Sequence, residues 1–339
     1  MLKKCIVLLA CLFAATGGSA WQTTGITGEG IRADGMGGAG VASGENYEAI
    51  FYNPAGLAKM NSGCLVVPSF YMKANQDIIT LLSAMSNMSS DAPPSQEALL
   101  NLANRAGVLK GILLAGVVKP SWALNFYAID DLLSTTWMDD SVTFHMLTDN
   151  KTDAGLIFSL AGRLPKLIPF LDLSVGGNVR YIYRMQRQYD MVNNNEWMIE
   201  FDPQQGWGLD AGAICRVLDL VDVGVMFKDI YAKVGADSVP MNMTLGASAK
   251  LLGFITVAVD LDNLTDLSSG DLLDKLKLGA EVSLFNFLKI RGGMSNKYPT
   301  AGLGISLFFF KFDYAFTGEK PGGVTAPIGT HAINCAIIL

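Results

Sequence analysis

The spacing Gly35-x-Gly37-x-x-Gly40 matches the glycine fingerprint of dinucleotide-binding sites letter for letter. In that motif the glycines let a strand turn tightly into a helix whose N-terminus holds a pyrophosphate. The mechanism requires a buried strand before the glycines, but residues 23–34 are mostly polar and rich in glycine. No alternation of strands and helices follows either. Flexible backbone in close contact with other segments explains these glycines better than a nucleotide does.

Other catalytic chemistry has no recognisable signature in this chain. The two histidines, His145 and His331, are far apart, and there is no HExxH, no GxSxG and no Cys/His cluster with zinc spacing. We therefore expect no catalytic residues, no metal site and no cofactor, and we do not expect an enzyme. A site dispersed over several strands would escape a motif search, so this alternative stays open.

The N-terminus reads as an export signal. Lys3 and Lys4 precede an apolar stretch over residues 5–15, and Gly18-Ser19-Ala20 supplies small residues for cleavage. We predict a signal peptide over residues 1–20. The sequence Leu8-Leu9-Ala10-Cys11 also fits a lipoprotein signal, which would make Cys11 a lipidated N-terminus; this alternative leaves a very short apolar region.

Composition narrows the class of protein further. Lys and Arg number 25 against 31 Asp and Glu, for a net charge of −6, so we expect no nucleic-acid partner. Half of the residues are hydrophobic, which is too apolar for a disordered chain. No run of 18 apolar residues follows the signal, so a helical membrane protein is excluded. A transmembrane β-barrel and a soluble secreted β-protein remain.

From residue 111 onward the hydrophobic period is two. Residues 275–285 alternate Leu, Ala and Val with Lys, Gly, Glu and Ser, and residues 308–316 place aromatic side chains on one face. Segments of about ten residues with this alternation are typical of transmembrane strands. The predicted strands are 64–75, 111–119, 121–129, 140–149, 153–163, 170–187, 206–217, 220–229, 240–251, 254–262, 275–285, 288–296, 299–307, 308–317 and 330–339.

A soluble sandwich would show the same alternation, but two features favour the barrel. The polar faces are rich in Gly and Ser, which suits a filled lumen, and aromatic residues lie near strand ends as in lipid-facing girdles. Because bacterial single-chain barrels have an even number of strands, one of these fifteen or so segments must be wrong. Residues 76–110 read instead as a helical insertion, with Pro93-Pro94 as a break, Ser95 as an N-cap and Gly107 as the stop.

Residues 32–57, RADGMGGAGVASGENYEAIFYNPAGL, combine a glycine-dense run with Asn53-Pro54-Ala55-Gly56 just before the first predicted strand. This order resembles the N-terminal hatch of the FadL/TodX superfamily of outer-membrane transporters, whose broader relatives include the PorV-like barrels. The resemblance implies an all-β fold, a transmembrane antiparallel β-barrel of about 14 strands over residues 64–339, with a hatch over residues 21–63 inside the lumen. The implied hatch residues are Gly35, Gly37, Gly38, Gly40, Asn53, Pro54 and Ala55.

The same resemblance implies passive transport of hydrophobic small molecules, such as long-chain fatty acids, across the outer membrane of a Gram-negative bacterium. A fatty-acid carboxylate needs a cation beside an apolar channel. If the apolar faces point outward, the cations that could bind it in the lumen are Arg180, Arg184, Lys277 and Arg291. Alternatively these charges pair across strands and stabilise the lumen.

The expected partners are a lipophilic cargo, outer-membrane lipid and the barrel-assembly machinery. The alternative function is a non-transporting PorV-like barrel that serves as a scaffold or shuttle for an exported protein partner. Residues 188–206, with their polar composition, are the candidate surface for such a partner. Cys64, Cys215 and Cys335 are odd in number and imply no disulfide framework.

Overall fold

The computed structural model describes residues 30–44, 46–88, 96–139, 143–166, 168–192, 195–266, 271–285, 287–320 and 327–339. The predicted signal peptide, the first part of the predicted hatch, and the Pro93-Pro94 break with its Ser95 cap lie outside these residues. No helix within the described ranges is long and apolar enough to cross a membrane.

The described strands close into one antiparallel barrel. Each wall strand pairs with its sequence neighbours, and the ring closes where the C-terminal strand pairs with the first one, Cys335 lying opposite Phe70. The strands are β1 (Cys64–Asn75), β2 (Ala106–Lys119), β3 (Trp122–Met138), β4 (Phe144–Arg163), β5 (Leu171–Val192), β6 (Asn195–Glu200), β7 (Gln204–Val217), β8 (Val221–Val234), β9 (Asp237–Ser238), β10 (Asn242–Leu251), β11 (Ile255–Leu261), β12 (Leu276–Leu284), β13 (Leu288–Ser295), β14 (Tyr298–Leu307), β15 (Phe310–Glu319) and β16 (Ile328–Ile338).

Two of these strands do not belong to the wall. β6 pairs only with β5, and the short β9 pairs with β8, while β10 pairs directly with β8. Among the described residues the wall therefore has fourteen strands. This confirms the predicted fold class, a closed antiparallel β-barrel with an even number of strands.

The helices are short. α1 (Ile31–Gly35), α2 (Ala49–Tyr52) and the 3₁₀ helix η1 (Pro54–Lys59) precede the wall, α3 (Gln76–Met88) and α4 (Gln96–Leu102) join β1 to β2, and a 3₁₀ helix η2 (Leu272–Asp274) precedes β12. Because isolated helices of this length are marginal in water, their stability must come from packing against the barrel.

The two ends of the barrel differ. At one end the wall strands are joined by short turns, such as 119–122, 251–255 and 307–310; we call it the short-turn end. At the other, the long-loop end, α3 and α4 lie between β1 and β2. The wall is also lopsided, because β3, β4 and β5 have 17, 20 and 22 residues, whereas β10 to β15 have between 7 and 10.

Alternation along each strand separates an outer from an inner face, as predicted. In β15, Phe310, Phe312 and Tyr314 are about 40–50% exposed on the outside, while Lys311 and Asp313 are buried on the inside. An apolar exterior and a polar or filled interior are what a transmembrane barrel requires.

One predicted pair of strands was wrong. Residues 144–149 of the first segment and the whole of segment 153–163 belong to a single strand, β4, which resolves the odd strand count. The polar triplet Asn150-Lys151-Thr152 reads as a break in the sequence, but the strand continues through it. Asn150 and Thr152 both donate hydrogen bonds to Asp130 on β3, at 3.0 and 2.5 Å, so the neighbouring strand satisfies these side chains.

Three boundaries also differ from the predictions. The insertion ends earlier than residue 110, because Asn104 adopts a left-handed conformation (φ 60°) and β2 begins at Ala106, which places Gly107 in a strand. Phe308 lies in a turn (φ 53°) and β15 begins two residues later. Within residues 188–206, the end of β5 and β6 (Asn195–Glu200) pair with each other and extend the sheet, and β7 begins at Gln204.

Candidate functional site

The candidate site is the contact between the barrel wall and the segment that precedes β1. We call residues 30–44 and 46–60 the inner segment. Its apolar residues are almost all buried, with Ile50, Ala55 and Leu57 at 0% exposure. Since its contacts are to the inner faces of the wall strands, the inner segment lies inside the barrel.

On one side of the lumen the inner segment meets the wall through backbone. At Gly279 on β12, an added β-carbon would lie 2.2 Å from the carbonyl oxygen of Met36, and at Gly293 on β13 it would lie 2.7 Å from the backbone nitrogen of Gly37. Both distances are far below van der Waals contact. We call the glycines of β7 to β14 in contact with the inner segment the glycine seat: Gly212, Gly224, Gly246, Gly279, Gly293 and Gly302. Gly176 on β5 makes the same kind of contact outside this set, since an added β-carbon there would lie 2.6 Å from the backbone nitrogen of Ala55.

Two glycines of the inner segment are equally constrained. Gly37 and Gly38 have positive φ angles of 69° and 83°, a conformation that other residues adopt with strain. An added β-carbon on Gly37 would also lie 2.3 Å from the carbonyl oxygen of Leu278. The fingerprint spacing that begins at Gly35 therefore serves close packing against the wall. The described residues directly before it, from residue 30 on, form a short helix and not the strand that a nucleotide site would require.

Asn53 ties the inner segment to the same side of the wall. Its amide nitrogen donates hydrogen bonds to the carbonyl oxygens of Val41, Ala213 and Val225, at 3.1 to 3.2 Å, and its oxygen accepts from the backbone N–H of Ala55. Asn53 is fully buried and caps η1, with Pro54 at the first helical position. One side chain thus joins two parts of the inner segment to β7 and β8.

Charged groups add further links on this side. Asp260 on β11 accepts hydrogen bonds from the backbone N–H groups of Gly40 and Val41, at 2.7 and 3.0 Å. Arg32 forms an ion pair with Glu281 at 3.1 Å, and Lys59 forms one with Asp222 at 2.7 Å. Because these pairs are largely buried, loss of one partner would leave an uncompensated charge in the lumen.

On the other side of the lumen the contact is made mainly by apolar side chains. Two polar wall side chains add hydrogen bonds of 2.8 Å, from Asn178 to the carbonyl oxygen of Ile50 and from Arg163 to that of Ala58. Ile50, Phe51 and Leu57 of the inner segment belong to one buried cluster together with wall residues of β2 to β5. We call this set of wall residues the apolar wall: Ile112, Leu114, Tyr127, Ile129, Ile157 and Ile182. The apolar wall therefore contacts the inner segment with large side chains, whereas the residues of the glycine seat have no side chain beyond a hydrogen atom.

Sequence reasoning did not predict the apolar wall, because the inward faces were expected to be polar. A signal was nevertheless present in residues 111–119, GILLAGVVK, which are apolar on both faces of the strand. A strand that is apolar on both faces is buried on both. For β2 this means lipid on the outside and the inner segment on the inside.

The predicted lumen cations are each held by a wall carboxylate. Arg184 binds Asp153 through two hydrogen bonds of 2.7 Å, and Arg291 bridges Glu281 and Asp313 at 2.8 Å. All of these side chains are nearly fully buried.

The other two predicted cations follow the same pattern. Arg180 pairs with Asp210 and Asp229, and Lys277 pairs with Asp262. Glu281, on the same strand as Lys277, pairs instead with Arg291 and with Arg32 of the inner segment. The arrangement agrees with the ion-pair alternative for these cations, and their contact with a carboxylate ligand stays a prediction.

A cavity of about 700 Å³ opens above the inner segment toward the long-loop end. Val41, Phe51 and Tyr52 form its floor, and its walls carry charged residues of both signs. Some of these are paired, as Lys73 is with Glu319 at 2.9 Å and Lys110 with Asp131 at 3.1 Å. The cavity is a vestibule lined by both charged and apolar residues, and it ends on the inner segment.

The helical insertion lies at the same end. Ile78 and Leu81 are 1% exposed, whereas Ile79 is 62% exposed and Leu82 36% exposed. One face of α3 therefore packs on the barrel as a cap, whereas Ile79 and Leu82 on the opposite face are exposed.

These features define a class: a closed β-barrel with fourteen wall strands among the described residues, whose lumen holds a segment of the same chain. Several solved structures are similar to this protein over nearly the whole chain. The Pseudomonas putida toluene transporter TodX aligns with a TM-score of 0.53 at 11% identity, over 93% of this chain and 98% of that chain. A TodX mutant described as a monoaromatic hydrocarbon channel gives 0.54 at 10% identity, over 92% and 98%. A Pseudomonas aeruginosa FadL homologue gives 0.50 at 10% identity, over 96% and 99%.

Sequence comparison adds no closer relationship. No protein-family model matches the chain, and no curated protein matches it significantly. At 10–11% identity the solved structures establish the fold alone. The resemblance to FadL/TodX barrels that residues 32–57 indicate is thereby confirmed for the fold.

Proposed function

We propose that this protein is a passive outer-membrane transporter of hydrophobic small molecules, and that the inner segment is its hatch. The observation that carries the proposal is the asymmetry of the lumen. One side of the hatch is fixed by backbone contacts and buried charges. The other side meets the apolar wall mainly through aliphatic and aromatic side chains, with two hydrogen bonds from Asn178 and Arg163 to its backbone. We call the contact between Ile50, Phe51 and Leu57 and the apolar wall the apolar seam.

An apolar molecule passes most easily where it replaces apolar contacts with apolar contacts. In the seam, side chains can change rotamer to admit a ligand without leaving polar groups unpaired. On the glycine-seat side, the same displacement would break hydrogen bonds to buried groups, each costing about 1–3 kcal/mol when left unsatisfied. We therefore expect an apolar molecule to pass along the seam at a lower free-energy cost than along the glycine-seat side.

The structural neighbours support this class of cargo. Their descriptions name toluene and monoaromatic hydrocarbons, and one is a FadL homologue. A hydrophobic cargo fits the apolar seam, and a non-enzymatic role fits a barrel of this kind. Transport of fatty acids in particular, with Arg180, Arg184, Lys277 or Arg291 at the carboxylate, is the finer part of the proposal.

Uptake measurements test the seam directly. The triple variant Ile112→Thr, Ile157→Thr, Ile182→Thr keeps β-branched side chains but introduces hydroxyls along the apolar wall. We expect slower uptake of radiolabelled toluene and oleate into proteoliposomes. The matched control, Leu113→Thr, Leu156→Thr, Val179→Thr, places the same hydroxyls on the outer face of the same strands. If both folded triple variants transport as the wild type does, the seam is not the route.

A second function has one specific observation in its favour. β6 is an edge strand at the long-loop end, and Trp197, Met198 and Ile199 on it are 51%, 60% and 45% exposed. An exposed apolar edge strand can pair with a strand of another chain, as a scaffold for an exported protein requires. Co-purification of a stoichiometric protein, lost on Ile199→Pro, would favour this function over transport.

A further inference from the structure

Four turns at the short-turn end carry a bulky apolar residue in the left-handed conformation. Their φ angles lie between 52° and 53°, and their exposed fractions are 70%, 80%, 85% and 102%. We call these residues, in chain order, the rim tips: Leu218, Leu252, Phe285 and Phe308.

These residue types are unusual at such positions. Tight hairpin turns with positive φ favour Gly, Asn and Asp, and the left-handed conformation is unfavourable by about 1–2 kcal/mol for other L-residues. At the opposite end, the turn between β13 and β14 has polar residues at the positive-φ positions, Asn296 at φ 50° and Lys297 at φ 76°. At the short-turn end Ser121 and Asp219 also have positive φ angles, 82° and 56°, so the unusual feature is the four apolar rim tips and not every turn at that end.

We propose that the rim tips are immersed in the lipid leaflet at the short-turn end, so that phospholipid acyl chains cover them. In bacterial barrels the short turns lie at the periplasmic side, where the leaflet consists of phospholipid. The inference concerns how the barrel sits in the membrane, and it does not depend on what the barrel transports.

Strand length is the first argument for lipid. β11 and β13 have 7 and 8 residues. At roughly 3.3 Å per residue and a tilt of about 40°, such strands rise only about 18–20 Å, whereas the apolar band of these barrels is about 25 Å tall. The turns beside these strands must then contribute to the apolar height, and Leu252, Phe285 and Phe287 are the residues placed to do so.

Continuity with the outer wall is the second argument. The rings of Phe309 and Phe310 lie 4.4 Å apart, and those of Phe310 and Phe312 lie 6.2 Å apart, which forms an aromatic row from the turn onto the lipid-facing side of β15. Phe285 and Phe287 stack at 6.1 Å beside the next hairpin. Residues 252–254 and 308–309 include no charged side chain that would hold these turns in water.

The wild-type protein allows a first test. In vesicles that contain a phospholipid with a photoactivatable acyl chain, we expect adducts in the peptides with Phe285 and Phe308, at yields similar to those of the outer wall strands. Adducts confined to the strand peptides would overturn the proposal. This measurement needs no substitution and therefore cannot fail through misfolding.

Spin labels give the second test. In a variant with Cys64, Cys215 and Cys335 replaced by Ser, a nitroxide at Leu252→Cys or Phe308→Cys is expected to collide more often with oxygen than with a water-soluble nickel complex. The control label, Lys297→Cys, occupies the matched turn at the long-loop end and should show the opposite ratio. Equal nickel access at 308 and 297 would mean that the rim tips are in water. Protection from both reagents would mean that a protein covers them, and either result overturns the inference.

Discussion

The two sides of the lumen hold the same inner segment by opposite means. On the glycine-seat side the wall has glycines, so that its backbone contacts the backbone of the inner segment. Buried charged groups such as Asp260 hold the inner segment in place there. On the apolar-wall side, large side chains of both partners fill the space. The first kind of contact is specific and rigid, while the second is adaptable. The transporter proposed above needs both, because its hatch has to stay in place and still let apolar molecules pass.

Removal of the inner segment should have the largest effect on permeability, because it eliminates the contacts on both sides of the lumen at once. Deletion of residues 25–56 is expected to leave the barrel folded, since the wall strands pair with one another without it. The barrel should then leak small hydrophilic solutes, as liposome swelling would measure. Unchanged permeability of the folded deletion variant would count against a plug.

Filling the glycine seat should have the next largest effect. Gly293→Val places its β-carbon 2.7 Å from the backbone nitrogen of Gly37 and 2.4 Å from the carbonyl oxygen of Leu278 on β12, so we expect the inner segment to be displaced and small solutes to leak. Its neighbour offers a matched control, because a β-carbon on Gly292 meets no atom within 4 Å. Gly292→Val should therefore behave as wild type in the same swelling assay. Equal leakage of both variants would show that the seat is not specific.

Loss of one hydrogen-bonding side chain should have a moderate effect. Asn53→Ala leaves the carbonyl oxygens of Ala213 and Val225 without this donor, at a cost of about 1–3 kcal/mol for the unsatisfied groups. We expect faster amide hydrogen exchange over residues 49–59 and unchanged exchange in β2 to β5. Uniformly faster exchange across the barrel would indicate a global loss of stability instead.

The smallest effect is expected where geometry is kept and only charge is lost. Asp260→Asn retains an oxygen that can accept from the N–H groups of Gly40 and Val41, but the charge-assisted component of both bonds disappears. We expect a modest increase in hydrogen exchange at residues 40 and 41, smaller than the effect of Asp260→Ala. Identical exchange in both variants would mean that the carboxylate contributes nothing beyond shape.

Much of the barrel was predictable from residue pattern, because alternation with period two follows directly from strand geometry. The segments around residues 64–75, 275–285 and 288–296 were placed within one or two residues of β1, β12 and β13. β4 was divided because the polar Asn150-Lys151-Thr152 carries no local sign that Asp130 lies opposite. Cross-strand partners are distant in sequence, and pattern reasoning cannot pair them.

The candidate site was predictable only in part. The glycine run and Asn53-Pro54-Ala55 were singled out from their residue types and position, and the inward placement of Arg180, Arg184 and Arg291 followed from alternation. Their carboxylate partners did not, since Asp153, Asp210 and Asp313 come from other strands. Because these partners could not be placed from the sequence, it did not decide whether the arginines bind a ligand carboxylate or form ion pairs with the wall.

By itself, the sequence determined that apolar and polar residues alternate along the strands as in a membrane barrel. It also determined that glycines give the N-terminal region backbone conformations that other residues rarely adopt. Both are local properties, set by periodicity and by the conformational range of single residues. Only the tertiary structure decided which strand faces the inner segment through glycine and which through isoleucine. That division depends on closing the ring of strands around the inner segment, and the closure brings together residues more than two hundred positions apart.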